Sequence, residues 1–175
     1  MKLITELPED AEASYTEGVL TVERAGNSLE RKLDHAQVDV KVENGEVAFE
    51  ALEDRKNITS IAKTFQSHLE NMIEGLENEY VYKMKGVYAH FPMTIKTESN
   101  QIVIENFMGE RYPRKVDIEE GVDVQVNGED VEISGPDKEA VGLTAGRLEQ
   151  LCKKGNRDPR TFQDGVYITS KGDEE

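Results

Sequence analysis

The chain has 175 residues, 37% of them hydrophobic, enough for one domain of ordinary size or two small ones and too many for disorder throughout. With 36 Asp and Glu against 21 Lys and Arg the formal net charge is −15, which excludes a broadly basic, nucleic-acid-coating surface, and without Trp the core must rest on Val, Ile, Leu and a few Phe and Tyr. Cys152 is the one cysteine, which rules out an intramolecular disulfide and a cysteine-based zinc site and fits a reducing compartment.

The opening stretch MKLITELPEDAEASYTEGV meets acids by Glu6 and has no apolar signal-peptide core, and no run of 18 apolar residues follows. The expectation is a soluble, cytoplasmic protein with no membrane partner. Next come GVLTVERAGNSLERKL (18–33) and VDVKVENGEVAFE (38–50), the latter two alternating apolar runs around Asn-Gly, the strongest short hairpin signal. Ile58, Ile61, Ala62, Phe65, Leu69, Met72, Ile73 and Leu76 then recur at steps of three and four, the buried stripe of a long helix.

A boundary falls near residues 77–82, where that stripe gives way to the alternating YVYKMKGVYAHF, and beyond it the pattern is written again. Lys83 and Lys85 alternate with Tyr82 and Met84 and should share one face of a strand. NQIVIENFMGERYPRKV (100–116) is a looser partner of 18–33, and VDVQVNGEDVEIS (122–134) repeats 38–50. Val141, Thr144, Ala145, Leu148, Leu151 and Cys152 form a second helical stripe, with Asp137 placed to accept from the free N–H groups of its first turn. The chain reads as α+β: two tandem repeats, 1–80 and 81–155, each a small antiparallel sheet covered by one helix. No low-complexity linker separates them, so a fixed relative orientation is expected. Residues 156–175 have no counterpart in the first half.

Catalytic patterns are absent. His35, His68 and His90 are far apart and lack metal-ligand spacing. GLTAGR (142–147) lacks the spacing and lysine of a phosphate loop, there is no G-x-S-x-G elbow, and Cys152 sits on an apolar stripe that disfavours a thiolate. Glu119-Glu120 and Asp173-Glu174-Glu175 read as solvated acids, with nothing nearby to raise one carboxyl for acid catalysis. No catalytic residue, metal or cofactor is expected.

The charge is uneven. Residues 1–80 hold 18 acids and 8 bases, net −10, whereas 81–175 hold 18 and 13, net −5; between Arg147 and Arg160 five cations (Arg147, Lys153, Lys154, Arg157, Arg160) face two acids (Glu149, Asp158), a local +3. In KKGNRDPRTFQDGVYIT (153–169), arginines suited to phosphate stand beside Phe162 and Tyr167, which can stack on a base, while Gly155, Pro159 and Gly165 let backbone follow an irregular surface. Local chemistry leaves a second reading open, in which the lysines complement a helix C-terminus and the aromatics fold back onto the second sheet. A second cluster, ENFMGERYPRKV (105–116), brings Arg111, Arg114 and Lys115 around a turn, either toward a partner or as solvated edge-strand cations.

The blocks LPEDAEAS, TFQSHLENMIEGLENEYVYKMKGVYAHFP, IENFMGERYPRKV, VDVQVNGEDVEISGPDKEAVG and NRDPRTFQDGVYIT, in family order, resemble the large-subunit ribosomal protein six family in its archaeal and eukaryotic branch, and the resemblance covers residues 2 to 171. The resemblance implies two α+β repeats and a structural ribosomal protein without catalytic activity. It also implies binding, mostly through the second repeat, to large-subunit ribosomal RNA near its 3′ domain, the sarcin-ricin loop and the stalk base, among neighbouring ribosomal proteins and close to translational GTPases. Carried over by position, Gly135, Lys138, Lys153, Lys154, Arg157, Arg160, Phe162, Gln163, Gly165 and Tyr167 would face RNA. The rival reading is an acidic adaptor whose first repeat binds a basic protein, with the tail packed on its own sheet.

Overall fold

A computed structural model describes residues 1–155 and 157–172. It divides into two compact units, Met1–Glu79 and Tyr80–Glu175. In the first, β1 (Lys2–Glu6) pairs with β6 (Glu46–Ala51), which pairs with β5 (Val38–Glu43); a second antiparallel sheet joins β2 (Ala11–Thr16), β3 (Val19–Arg24) and β4 (Asn27–Lys32). The helix α1 (Lys56–Glu77) packs against β1, β3 and β6. Its buried residues Ile58, Ala62, Phe65, Leu69 and Met72 are stripe positions, and with Leu20, Val22, Val47 and Phe49 they build one core. Burying about ten such side chains, each worth roughly 1.5–3 kcal/mol, is the main force holding the unit together.

The second unit repeats this order. The strands β7 (Tyr80–Val87), β8 (Thr94–Glu98), β9 (Gln101–Glu105), β10 (Arg114–Asp117), β11 (Asp123–Asn127) and β12 (Asp130–Gly135) lead to α2 (Lys138–Leu151), with β10-β9-β8 as one sheet and β11-β12-β7 as the other. Asp137 accepts from Glu139 N–H at 3.0 Å and caps α2. Val141, Ala145 and Leu148 share one core with Ile95, Ile104, Phe107 and Ile133, and Thr144 is buried on the same helix. Lys83 and Lys85 lie exposed on one face of β7, with Tyr82 and Met84 buried on the other.

Two departures from the repeat follow from the sequence. In the first hairpin Glu43 pairs with Glu46 and the loop is Asn44-Gly45, both at positive φ (52° and 79°), as a type I′ turn requires. In the second, Asn127 pairs with Asp130, so the loop is Gly128-Glu129 instead of Asn-Gly. Val126 must face Val131 to keep both on the core side, and that pairing puts the middle two of the four intervening residues in the turn. The looseness between 18–33 and 100–116 also has a structural cause. The β3–β4 connection is the two-residue Ala25-Gly26, whereas β9 and β10 are joined by residues 106–113, which include a single 3₁₀ turn, Phe107–Gly109.

Of residues 156–175, which the sequence sets apart from the repeats, Gly165–Ser170 form a last strand, β13. It adds antiparallel to the open side of β7, making a four-stranded sheet β11-β12-β7-β13. Val166 drops into the core. None of the helices is long and apolar enough to cross a membrane, among the described residues.

Candidate nucleic-acid interface

The segment between α2 and β13 is built by its own hydrogen bonds. The Asp158 carbonyl accepts from Thr161 N–H at 3.1 Å and Phe162 N–H at 2.9 Å, and the Asp158 carboxylate accepts from Arg160 N–H at 2.9 Å, turning the chain at Asp158-Pro159. These bonds from the Arg160 N–H and guanidinium hold the Asp158 carboxyl below its ordinary range. Lys154 fastens the return: its Nζ donates to the Phe162 carbonyl and, at 3.2 Å, to the Tyr167 hydroxyl. That hydroxyl in turn donates to the Gln163 carbonyl at 3.0 Å. Gly165 is needed beneath the ring, because a Cβ there would sit 3.1 Å from Tyr167 Cζ.

This loop presents cations and rings together. The Arg157 guanidinium lies over the Phe162 ring at 5.3 Å and Lys154 Nζ over the Tyr167 ring at 5.9 Å. Phe162 and Tyr167 remain 39% and 38% exposed. Lys153, Arg157, Arg160 and Gln163 are exposed, and the Arg160 side chain, 91% exposed, pairs with Asp158 at 3.3 Å. An open cleft of about 370 Å³ lies between the end of α2 and this loop, with Lys153, Lys154 and Arg157 on its rim, Pro159 and Tyr167 on its walls and Cys152 beneath. Burial pushes the Cys152 thiol up, against the pull of a backbone hydrogen bond from Val166 and of Arg114 and Lys154, so it is a neutral packing group.

The remaining expected residues are dispersed. Lys138 opens α2, its Nζ 4.9 Å from the centre of the Tyr80 ring. Gly135 is buried where β12 passes close to Gly121. Arg111 and Lys115 are exposed, beside Tyr112 at 78%. Arg114 is no solvated edge cation: it pairs in parallel with Glu110 (2.8 and 2.6 Å), covers the Phe107 ring at 4.3 Å, and donates to the Leu151 and Lys153 carbonyls at the C-terminus of α2. Sequence reading missed Glu110, although its i, i+4 spacing to Arg114 was there to see. Met108 was missed too; its sulfur receives Arg157 Nη1 at 4.0 Å. Glu119 is engaged by Arg147, and Asp173-Glu174-Glu175 lie outside the described residues. The described residues contain no group of His, Cys, Asp and Glu able to hold a metal.

A family model described as Ribosomal protein L6 matches residues 91–165, which run from before β8 to the foot of β13. The chain is 45% identical to the large ribosomal subunit protein uL6 of Haloarcula marismortui, over 95% of this chain and 93% of the relative. It belongs to the uL6 family. The uL6 proteins of Methanococcus vannielii and Natronomonas pharaonis are 41% and 40% identical to it, over 95% and 99% of this chain and 91% and 98% of theirs. As a uL6 protein the chain is a structural constituent of the large ribosomal subunit in the cytoplasm and not an enzyme. The match to the family model takes in all of the α2–β13 loop up to Gly165.

Proposed function

We propose that the second unit binds large-subunit ribosomal RNA near its 3′ domain, close to the sarcin-ricin loop and the stalk base where translational GTPases dock, through the α2–β13 loop. The observation that carries this reading is the pairing of Arg157 with the exposed Phe162 ring, beside the exposed Tyr167 ring that Lys154 holds in place. A cation flush with a ring offers phosphate contact and a stacking surface within one nucleotide's reach, and both suit unpaired or splayed RNA better than a regular duplex. Lys153, Arg157 and Arg160 contact phosphate; Phe162 and Tyr167 stack; Lys154, Gln163 and Gly165 hold the loop in shape. Lys138, Arg111 and Lys115 extend the footprint, and Arg114 positions α2 and Lys153 without meeting RNA.

The test is binding of the full chain to a ribosomal RNA fragment spanning the sarcin-ricin loop across a KCl series, with transfer RNA as competitor. With about three phosphate contacts, log affinity should fall with log salt at a slope of roughly −2 to −3. Equal affinity for transfer RNA, or no effect of Arg157→Ala with Arg160→Ala, would sink the proposal.

A further inference from the structure

Duplication gives this protein an internal control for one surface. In each unit the first strand lies beside the hairpin that precedes the helix. Leu7 N–H donates to the Gly45 carbonyl at 2.8 Å, and in the second unit Gly86 N–H donates to the Glu129 carbonyl at 2.7 Å, so Lys2, Ile4 and Glu6 correspond to Val81, Lys83 and Lys85. Because Ala51 N–H and Leu7 N–H donate to Met1 and Gly45 across the β1–β6 ladder, the residues between them alternate. Leu3 and Thr5 turn their backbone groups toward β6, and Lys2, Ile4 and Glu6 turn theirs away. In the second unit the corresponding side of β7 is covered by β13, with Tyr167 opposite Lys85 and Gly165 opposite Val87. In the first unit β1 ends its sheet.

Charge says what should cover it. On the solvent face of β1-β6-β5, Glu6 lies directly opposite Glu46, and Glu46 opposite Glu43, three exposed carboxylates in one row. Like charges directly opposed across strands are destabilising. The corresponding row of the second unit is Lys85, Asp130 and Asn127, where a cation faces an acid. Beside the row, Ile4 is 49% exposed at the middle of the open edge.

We propose that the outer edge of β1 docks an extended, Lys- or Arg-rich segment of a partner protein, which adds a fourth strand to the first unit as β13 does to the second. On the face shared by Lys2, Ile4 and Glu6, a cation opposite Glu6 would extend the Glu6, Glu46 and Glu43 row, and the residue two positions along, opposite Ile4, would be apolar. A second copy of this chain is the poorer occupant, because it would bring another net −15 to the same place. The inference stands apart from the RNA reading, since it concerns the other unit.

The test is amide hydrogen exchange on the full chain with a ten-residue peptide repeating Lys-Thr-Val-Thr, which sets Lys and Val in turn on one face. Exchange at Lys2, Ile4 and Glu6 should slow at least tenfold, while Leu3 and Thr5, already bonded to β6, change little. The same peptide N-methylated at alternate residues should give no protection, a control that leaves the protein's fold untouched. Glu6→Gln with Glu46→Gln should weaken binding several-fold, and the same peptide with Glu in place of each Lys should not bind. Protection confined to the second unit, or none at Lys2, Ile4 and Glu6, overturns the proposal. So does concentration-dependent protection without peptide, which would mean self-pairing, or displacement of the peptide from these amides by the ribosomal RNA fragment.

Discussion

The Arg157 guanidinium lies 5.3 Å above the centre of the Phe162 ring, and the segment joining them turns at Asp158 by hydrogen bonds of its own. Arginine and ring therefore arrive at a ligand as a prepared pair. Phe162→Ala should weaken RNA binding by roughly 1–3 kcal/mol without shifting the salt slope, because stacking releases no counterions. Arg157→Ala should cost a similar amount and make the slope shallower by about 0.7–0.9. Filter-binding titrations at several salt concentrations separate the two, and identical salt behaviour of the variants would contradict these roles.

Arg114 answers to stability instead. It satisfies two carbonyls at the end of α2, pairs with Glu110 and covers Phe107. Arg114→Ala should destabilise the protein by about 2–3 kcal/mol in urea unfolding. Arg111→Ala, an exposed neighbour, should lie within about 0.5 kcal/mol of the parent.

The same pair sets a pH dependence. The hydrogen bond from Arg114 holds the Glu110 carboxyl below its ordinary value, so the folded state binds a proton less readily than the unfolded chain. Its contribution is present in full above the ordinary glutamate range, about 4.3, and is lost as pH falls through the lowered folded value. Glu110→Gln should cost about 1 kcal/mol at pH 7, modest because the group is partly exposed. The gap from the parent should shrink steadily as urea titrations are repeated below pH 4. A gap that widened on acidification would reverse the sign argued here.

Gly135 is a steric requirement. A Cβ there would stand 2.8 Å from the Gly121 carbonyl oxygen and 3.2 Å from Val141 Cγ2, and the oxygen belongs to backbone that cannot swing away. Gly135→Ala should destabilise by roughly 1–3 kcal/mol. Gly146→Ala, where nothing lies within 4 Å, should be neutral or stabilising by a few tenths to about 1 kcal/mol. Thermal melts of the two variants side by side check both signs.

How much of this was legible beforehand depends on the range of the forces involved. Periodicity is local, so the α1 stripe from Ile58 to Met72, the Asp137 cap and the two-copy organisation could be read directly. The turn at Gly128-Glu129 could not, because the Asn-Gly signal is a dipeptide preference and the Val126–Val131 pairing that overrides it acts across strands. Arg114 looked like a surface cation because its carbonyl partners lie 37 and 39 residues away. The two readings of the tail, facing RNA or folding onto the sheet, were posed as alternatives, yet Tyr167 sits in β13 and still shows its ring to solvent. A strand has two faces, and one residue can serve the sheet with its backbone while offering its side chain outward.

The pairing of β7 with β13 also bears on the order in which the protein is made. Every strand and helix of the first unit is in place once residue 77 has been synthesised, so that unit can close while the rest of the chain is still being translated. The second unit begins with β7 and lacks a strand until Ser170, so its sheet must wait for β13, and the contact that completes it spans more than eighty residues at Lys83 and Ser170. Long-range closure of this kind is slow. Before it happens the α2–β13 loop has no β13 to anchor its far end, so the proposed RNA-binding surface takes shape only after that strand has paired with β7.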